Sequence, residues 1–334
     1  MSEGKKVALL RVLQVLEKYS DIEHPLTHED IASYLYKDFN IEVDRKFVAK
    51  QITLLHEVYD VLSSPIVLIS DKRKGTYIEQ RTFEDSELRL LIDGVLSSRH
   101  ITAKHSEDLI EKLCGQANQY FRPRIKNIYS VNDWNKTENV SVFLNIELID
   151  EAIENGKQLR FVYNKYGADK KLHQTSHPRV SPYQLILHNQ RYYLMARHER
   201  FEKVNFYRVD RCTAMEIVDK PLTDIHSVEG YQSGIDYKKI ASGRPYMFND
   251  KMEYVEFFTD ENGVDQAIDW FGKDIKIENA GDRYKVSMLA SPSAMEYWAL
   301  QYVKSVEVIS PKSLRERIKN TLLEGVKQYG MDSF

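Results

Sequence analysis

The sequence predicts a mixed α+β chain of several domains, and three observations carry that prediction. Its 334 residues exceed the ~100–150 of a usual single domain. The hydrophobic spacing changes along the chain: mainly helical up to residue 119 with a hairpin at 66–78, strand-like over 157–213, and mixed after 254. A composition of 42% hydrophobic and 29% charged residues with nine prolines is that of a folded protein, and it excludes disordered and collagen-like classes. Cys114 and Cys212 lie far apart and form neither a disulfide framework nor a zinc cluster. No apolar run reaches the ~20 residues needed to cross a bilayer, and MSEGKKVALLRV lacks a signal-peptide layout. A cytoplasmic protein without membrane contact is expected.

At the N-terminus, Leu9, Val12, Leu13 and Leu16 recur at helical spacing, so residues 5–19 read as an amphipathic helix. After a turn around Pro25, Thr27 with Asp30 three residues on forms a helix-start signal. That second helix runs to about Asp38 and buries Ile31, Tyr34 and Leu35. Asp44 caps a third helix reaching about Tyr59. Val48, Ile52, Leu55 and Tyr59 form its inner face, Lys46, Ala49, Lys50 and Thr53 point outward, and Arg45 sits at the edge.

Two apolar runs, 66–69 and 76–78, then flank Lys72-Arg73-Lys74-Gly75, a hairpin with cations at its tip. Three helices and a basic-tipped hairpin make a winged helix-turn-helix over residues 1–80, whose third helix would enter the major groove of double-stranded DNA. Arg45, Lys46, Lys50 and Thr53 would reach the DNA, while Lys72, Arg73 and Lys74 would sit on phosphates. The same layout also serves docking modules, and the segment is net acidic at −2. The placement of the cations favours DNA.

Residues 84–98 and 105–119 are two further helical patterns, with stripes at Leu88, Leu91, Ile92 and Val95 and at Leu109, Ile110, Leu113 and Ala117. They make 81–139 a helical linker suited to a homodimer contact, since such DNA readers act as two-fold dimers. Cys114 reads as a small buried residue. The formal charge of −3 hides a contrast: residues 157–213 hold 12 Lys/Arg against four acids, or +8, in an otherwise acidic chain. Local charge sets the field that a phosphate meets.

A helix over 145–155 leads into this basic stretch. Strand patterns follow at 158–166, 179–188, 190–197 and 204–211, spaced for a small, strongly bent sheet or barrel. Alternation places Arg179, Ser181 and Tyr183 on one face of their strand. It places Arg208 with Asp210 on one face of another, opposite Tyr207 and Arg211. Arginine forks hold phosphate oxygens and aromatic rings stack bases at ~1–3 kcal/mol each. Tyr183, Arg208 and Arg211 lead the effector-binding candidates, followed by Arg179, Ser181 and Tyr192. Which strand face forms the pocket stays open.

The succession RVSPYQLILHNQRYYLMARHERFEKVNFYRVDR resembles the WYL domain of bacterial transcription regulators. Tyr192-Tyr193-Leu194 stands where the family has its Trp-Tyr-Leu triplet, flanked by Ser181-Pro182-Tyr183 and by Phe206-Tyr207-Arg208-Val209-Asp210-Arg211. The resemblance covers roughly 140–222. It implies an Sm-like β-barrel that senses ligands including nucleotides or nucleic-acid fragments, in a chain built from a winged helix, a linker, a WYL domain and a C-terminal extension.

Residues 219–243 read as a polar linker. From 245 to 334 the order β-α-β-β-α-β predicts a ferredoxin-like domain, with Pro311 opening its last helix behind a Ser310 cap. His173 and His177 flank a non-helical stretch without completing ligands, so no metal and no cofactor are expected. No Gly-rich phosphate loop or nucleophile elbow supports a nucleotide-processing enzyme, and no catalytic residue is assigned. The expected function is a DNA-binding transcriptional regulator, homodimeric, with a nucleotide or oligonucleotide effector. The alternative is an RNA- or single-stranded-DNA-binding accessory protein using the basic barrel.

Overall fold

The computed structural model describes residues 7–121, 136–237, 240, 243–248 and 250–330. It is a mixed α+β structure of two compact units, 1–140 and 141–334, with N-terminal helices in the first and a curled antiparallel sheet in the second.

The first unit opens with α1 (Ala8–Tyr19), α2 (His28–Phe39) and α3 (Arg45–Leu62). Local chemistry fixes their starts. Thr27 Oγ1 accepts from Asp30 N at 3.1 Å while the Asp30 carboxylate accepts from Thr27 N at 2.8 Å, a reciprocal box that satisfies two orphan helix donors. Asp44 caps α3 through Phe47 N at 2.8 Å. Val12, Leu16, Ile31, Leu35, Val48, Ile52 and Leu55 pack into one core, with Leu68 and Ile78 of the following hairpin completing it.

That hairpin pairs β1 (Val67–Asp71) with β2 (Gly75–Gln80). Asp71 Oδ1 accepts from the backbone N–H groups of Arg73 and Lys74 at 2.7 and 2.8 Å, which shapes the tip. Gly75 is required there twice over. Its φ is +116°, and a Cβ at this position would lie 2.5 Å from Leu26 O. The close approach lets Leu26 and Thr76 exchange hydrogen bonds of 2.9 and 2.8 Å, tying the hairpin to the loop before α2.

α4 (Asp85–Ser97) and α5 (Ala103–Cys114) pack around Leu88, Ile92, Cys114 and Phe121. The expected stripe is narrower than its spacing suggested, for Leu91 is 41% exposed. α5 starts and stops earlier than expected because Thr102 caps it through His105 N and Gly115 follows its last turn. Past α5, Asn118 donates to Asp21 at 2.8 Å, and the Tyr120 and His24 rings stack at 3.7 Å. These contacts dock the chain after α5 on the α1–α2 turn.

The second unit begins with α6 (Val142–Glu154). Six strands follow: β3 (Lys157–Tyr166), β4 (Leu172–Ser176), β5 (Arg179–His188), β6 (Arg191–His198), β7 (Val204–Arg208) and β8 (Cys212–Pro221). They form one antiparallel sheet in the order β4-β3-β5-β6-β7, with β8 on the other side of β3. Register shifts in the β3–β4, β3–β8 and β5–β6 pairs bend the strands and curl the sheet. Among the described residues no β7–β8 pairing closes it; a 3₁₀ turn, Val209–Arg211, joins the two.

One face of this sheet packs Leu159, Phe161, Val180, Leu194 and Ala196 beneath α6, where Asn145 donates to Cys212 O at 2.8 Å. The other face carries Tyr183, Met195 and Val204. The stretch expected to be a linker covers that second face. Leu222, Ile225, Val228, Tyr231, Ile235 and Ile240 join the cluster, because these scattered apolar side chains find a half-buried sheet to close over. Arg244 then anchors the segment's end, donating to the carbonyls of Phe248 and Asp250 with its guanidinium over Phe206.

The C-terminal elements are β9 (Glu253–Thr259), α7 (Glu261–Phe271), β10 (Lys276–Asn279), β11 (Tyr284–Ala290), α8 (Pro292–Gln301), β12 (Glu307–Ser310) and α9 (Lys312–Gln328). The sheet order β10-β11-β9-β12 is antiparallel throughout. Trp298, Phe257, Val255 and Phe271 fill its core. Trp270 is tied instead by its indole N–H to the Tyr302 hydroxyl at 3.1 Å. The start of α9 departs from expectation: Pro311 is itself the N-cap, and no side chain caps the helix. Among the described residues no helix is long and apolar enough to cross a membrane.

Candidate functional site

The first unit presents a cationic surface. Arg45, Lys46, Lys50 and Thr53 all lie exposed along α3, on the side away from Val48, Ile52 and Leu55. Arg45 reaches Glu29 at 3.7 Å, and the Thr53 hydroxyl donates to Ala49 O at 3.2 Å. Lys72, Arg73 and Lys74 stand exposed at the hairpin tip. His56 of α3 bonds Ser70 of β1 at 3.1 Å, so helix and hairpin are braced together. An α-helix with one basic face beside a basic loop is a shape that suits a groove edged by phosphates.

In the second unit a buried carboxylate organises a group of arginines. Asp210, 4% exposed, accepts from Arg208 Nε at 3.0 Å, from Arg208 Nη2 at 2.6 Å and from Arg191 Nη1 at 2.9 Å. Burial pulls the Arg208 guanidinium toward losing its proton, but the Asp210 bonds outweigh that, leaving it above the usual arginine range. Tyr193, cross-strand partner of Arg208, lies beside this group. Burial raises its phenol, against the opposing pull of Arg208 and Arg191.

Arg211 occupies the next turn, with its guanidinium 6.0 Å from the Tyr166 ring centroid. Its Nε is buried and has no hydrogen-bond partner, a donor that favours an incoming acceptor. The fixed forks of Arg208 and Arg211, beside the Tyr193 and Tyr166 rings, are chemically suited to an anion bearing a flat group.

The sequence-derived effector residues do not converge on one point. Arg208 and Arg211 lie at the β7 end of the sheet as described. Ser181 is fully buried, donates to Glu199 at 2.7 Å and accepts from Thr223 N at 2.8 Å. Tyr183 is also buried. Its hydroxyl donates to Thr223 O at 2.9 Å, and burial raises its pKa to about 12. Both side chains are covered by the segment from Leu222 onward, whose packing sequence alternation does not reveal. Tyr192 packs toward the α6 core, on the face opposite Tyr193. Arg179 is exposed at the far edge of β5. Arg191 is the member of the Asp210 group that sequence reasoning missed. Its signal was parity with Tyr193 on one strand, legible only once Asp210 was known to face that side.

Among the described residues no group of His, Cys, Asp and Glu is arranged to hold a metal ion. Cys212 is fully buried, and burial holds its thiol well above the usual range.

Comparison with known proteins gives one family match: the WYL domain, over residues 145–217. No curated protein matches the chain. Among solved structures, the chain is similar to proteasome accessory factor B/C (PafBC) of Arthrobacter aurescens, at 17% identity and a TM-score of 0.30, covering 97% of this chain and 49% of that one. It is also similar to a CRISPR Cas-related protein, at 14% identity and a TM-score of 0.39, covering 98% of this chain and 85% of that one. The chain therefore spans about half the length of the PafBC protein that it matches. Strands β3 to β7, the first half of β8 and the arginines Arg191, Arg208 and Arg211 fall within residues 145–217, the stretch that matches the WYL domain.

Proposed function

We propose that the chain is a cytoplasmic, homodimeric, DNA-binding transcriptional regulator whose WYL domain senses an anionic effector, a nucleotide or oligonucleotide. In this reading residues 1–80 form a winged helix-turn-helix and 81–139 a helical linker. Residues 140–222 form the WYL domain with an Sm-like barrel, and 245–334 a ferredoxin-like extension. The domain senses its effector and does not act as an enzyme.

The observation that carries the reading is the separate presentation of two kinds of cation. Lys46, Lys50, Lys72, Arg73 and Lys74 are exposed and have no ion pair among the described residues, as contacts to a phosphate backbone require. Arg208 and Arg211 are instead partly buried beside aromatic rings, which suits a small anionic ligand. Effector binding alters DNA affinity only if the ligand prefers one of two conformations.

The test is Lys46→Ala with Lys50→Ala in the full chain. If each lysine neutralises one phosphate, duplex binding weakens and the slope of log K against log salt falls by about 1.8. Unchanged affinity and slope would place the recognition helix elsewhere. The +8 of residues 157–213 favours a second reading, an accessory protein that binds single strands through the sheet. Retention of single-stranded RNA but not duplex DNA would select it.

A further inference from the structure

A second basic recess lies at the opposite end of β6 from the Arg208 group. The corner between β4 and β5 and the hairpin turn between β6 and β7 enclose a cleft of about 440 Å³, lined by His177, Arg179, His198, Glu199, Arg200 and Phe201. The backbone joins its walls, since Glu199 N donates to Arg179 O at 3.1 Å. Tyr193, beside Arg208, and His198, in the cleft, are five residues apart on β6, or about 17 Å along an extended strand. The two basic groups are therefore separate places.

The charges in the cleft are arranged for an anion. Glu199 lines the cleft too, but its charge is paired: one carboxylate oxygen accepts from Ser181 at 2.7 Å and lies 3.2 Å from Arg197. Glu202, the other acid of the turn, also pairs with Arg197, at 3.3 Å. Arg179 and Arg200 are exposed, and neither has a carboxylate partner among the described residues. His198 Nδ1 accepts from Arg200 N at 3.1 Å, so the neutral ring carries its proton on Nε2, as a hydrogen-bond donor. Burial, with Arg200 beside it, keeps that ring neutral by lowering its pKa.

The cleft also has an aromatic wall. Phe201 is 59% exposed, a high value for a phenyl ring. It lies 4.6 Å from the His198 ring and 5.4 Å from the Arg200 guanidinium, centroid to centre. A ring held by a cation and an imidazole at a hairpin tip offers its free face for stacking. Two guanidiniums without a carboxylate partner among the described residues, an N–H donor and an exposed ring together match a phosphate joined to a planar heterocycle.

The geometry points to this cleft as a second ligand site, which takes the phosphate and base of one nucleotide unit. Arg179 and Arg200 hold the phosphate, His198 donates to it or to the base, and Phe201 stacks the base. The unit is either a free nucleotide or one residue of a single strand. The inference rests on the reading of the WYL domain as an anion sensor and adds a place where that sensing occurs.

The test uses the full chain and fluorescence anisotropy with two probes, labelled AMP and a labelled single-stranded dT12, across a salt series. Three variants are compared: Arg179→Ala with Arg200→Ala, Phe201→Ala, and Arg208→Ala with Arg211→Ala. If the cleft is a site, the Arg179/Arg200 variant binds at least one probe about ten-fold more weakly, and for dT12 its salt slope falls by about 0.7, one phosphate's worth. Phe201→Ala weakens the same probe about ten-fold at an unchanged slope, and Phe201→Trp restores it. Loss with AMP identifies a free nucleotide; loss with dT12 alone identifies a strand. If only the Arg208/Arg211 variant loses binding, the cleft is overturned and the sensing reading stands. If the wild-type chain binds neither probe, or no variant loses binding, both are overturned.

Discussion

Asp210→Asn should be the most damaging isosteric change in the second unit. The carboxylate is 4% exposed and accepts three hydrogen bonds from two guanidiniums. Asparagine keeps the shape but removes the charge and turns one acceptor into a donor that faces Arg208 or Arg191. Removing one partner of a buried ion pair costs about 3–5 kcal/mol. The Arg208 and Arg191 side chains keep 18% and 19% of their surface, so water recovers part of this, and the expected loss is about 2–4 kcal/mol. For a unit of this size that is a fall in Tm of about 6–12 °C. Urea unfolding followed by circular dichroism would measure it directly. The control is Arg191→Met with Arg208→Met, in which the same Asp210→Asn change should cost less than about 1 kcal/mol because no cation is left stranded. An Asp210→Asn protein within about 0.5 kcal/mol of wild type, or an equal loss in both backgrounds, would refute Asp210 as the organiser of the arginines.

Two further outcomes follow from the first unit. Gly75→Ala should destabilise it by more than about 1 kcal/mol, since the new Cβ meets Leu26 O at a φ that alanine rarely adopts; urea unfolding of wild type and variant side by side would show it. Glu17 is half-buried on α1, and burial raises its pKa above 4.5 despite the opposing charge of Arg81. The folded state therefore binds its proton more tightly than the unfolded state, and ionising Glu17 costs stability as pH rises through 4.5 and beyond. Glu17→Gln should be the more stable protein at pH 7, with the difference vanishing below pH 4.5; a difference independent of pH would contradict this.

Much of the first unit was legible because its signals are local. Thr27 with Asp30 and Asp44 with Phe47 act within one helical turn, and the outward face of α3 follows from 3.6-residue spacing. The hairpin tip was equally visible, although the reason for Gly75 was not. Its constraint comes from Leu26, about fifty residues earlier in the chain. In the second unit the strands could be read but not their coverings. Tyr192 and Tyr193 are adjacent in sequence and lie on opposite faces, and alternation cannot say which face a distant segment will cover. The six apolar residues from Leu222 to Ile240 sit in a stretch otherwise rich in polar residues and glycine, and nothing local announces that they close over Tyr183 and Ser181. Arg179 read as part of one effector group, while the curl of the sheet carries it to a different edge from Arg208.

The pairing of β3 has a bearing on when this chain can assemble. The strand meets β4 and β5 along one edge and β8 along the other, where Lys157 faces Pro221 and Tyr163 faces Cys212. The β5–β6 and β6–β7 hairpins can zip up as they are made, but β3 must keep one edge open until some fifty further residues have been synthesised. Contacts of such long sequence separation form slowly, and an open edge is a template for wrong partners. A chain cut short near residue 210 would hold a sheet lacking its last strand. Chains ending at that point should aggregate more than those extended past Pro221, and extension past Ile240, which adds the cover over Tyr183 and Met195, should lower aggregation further.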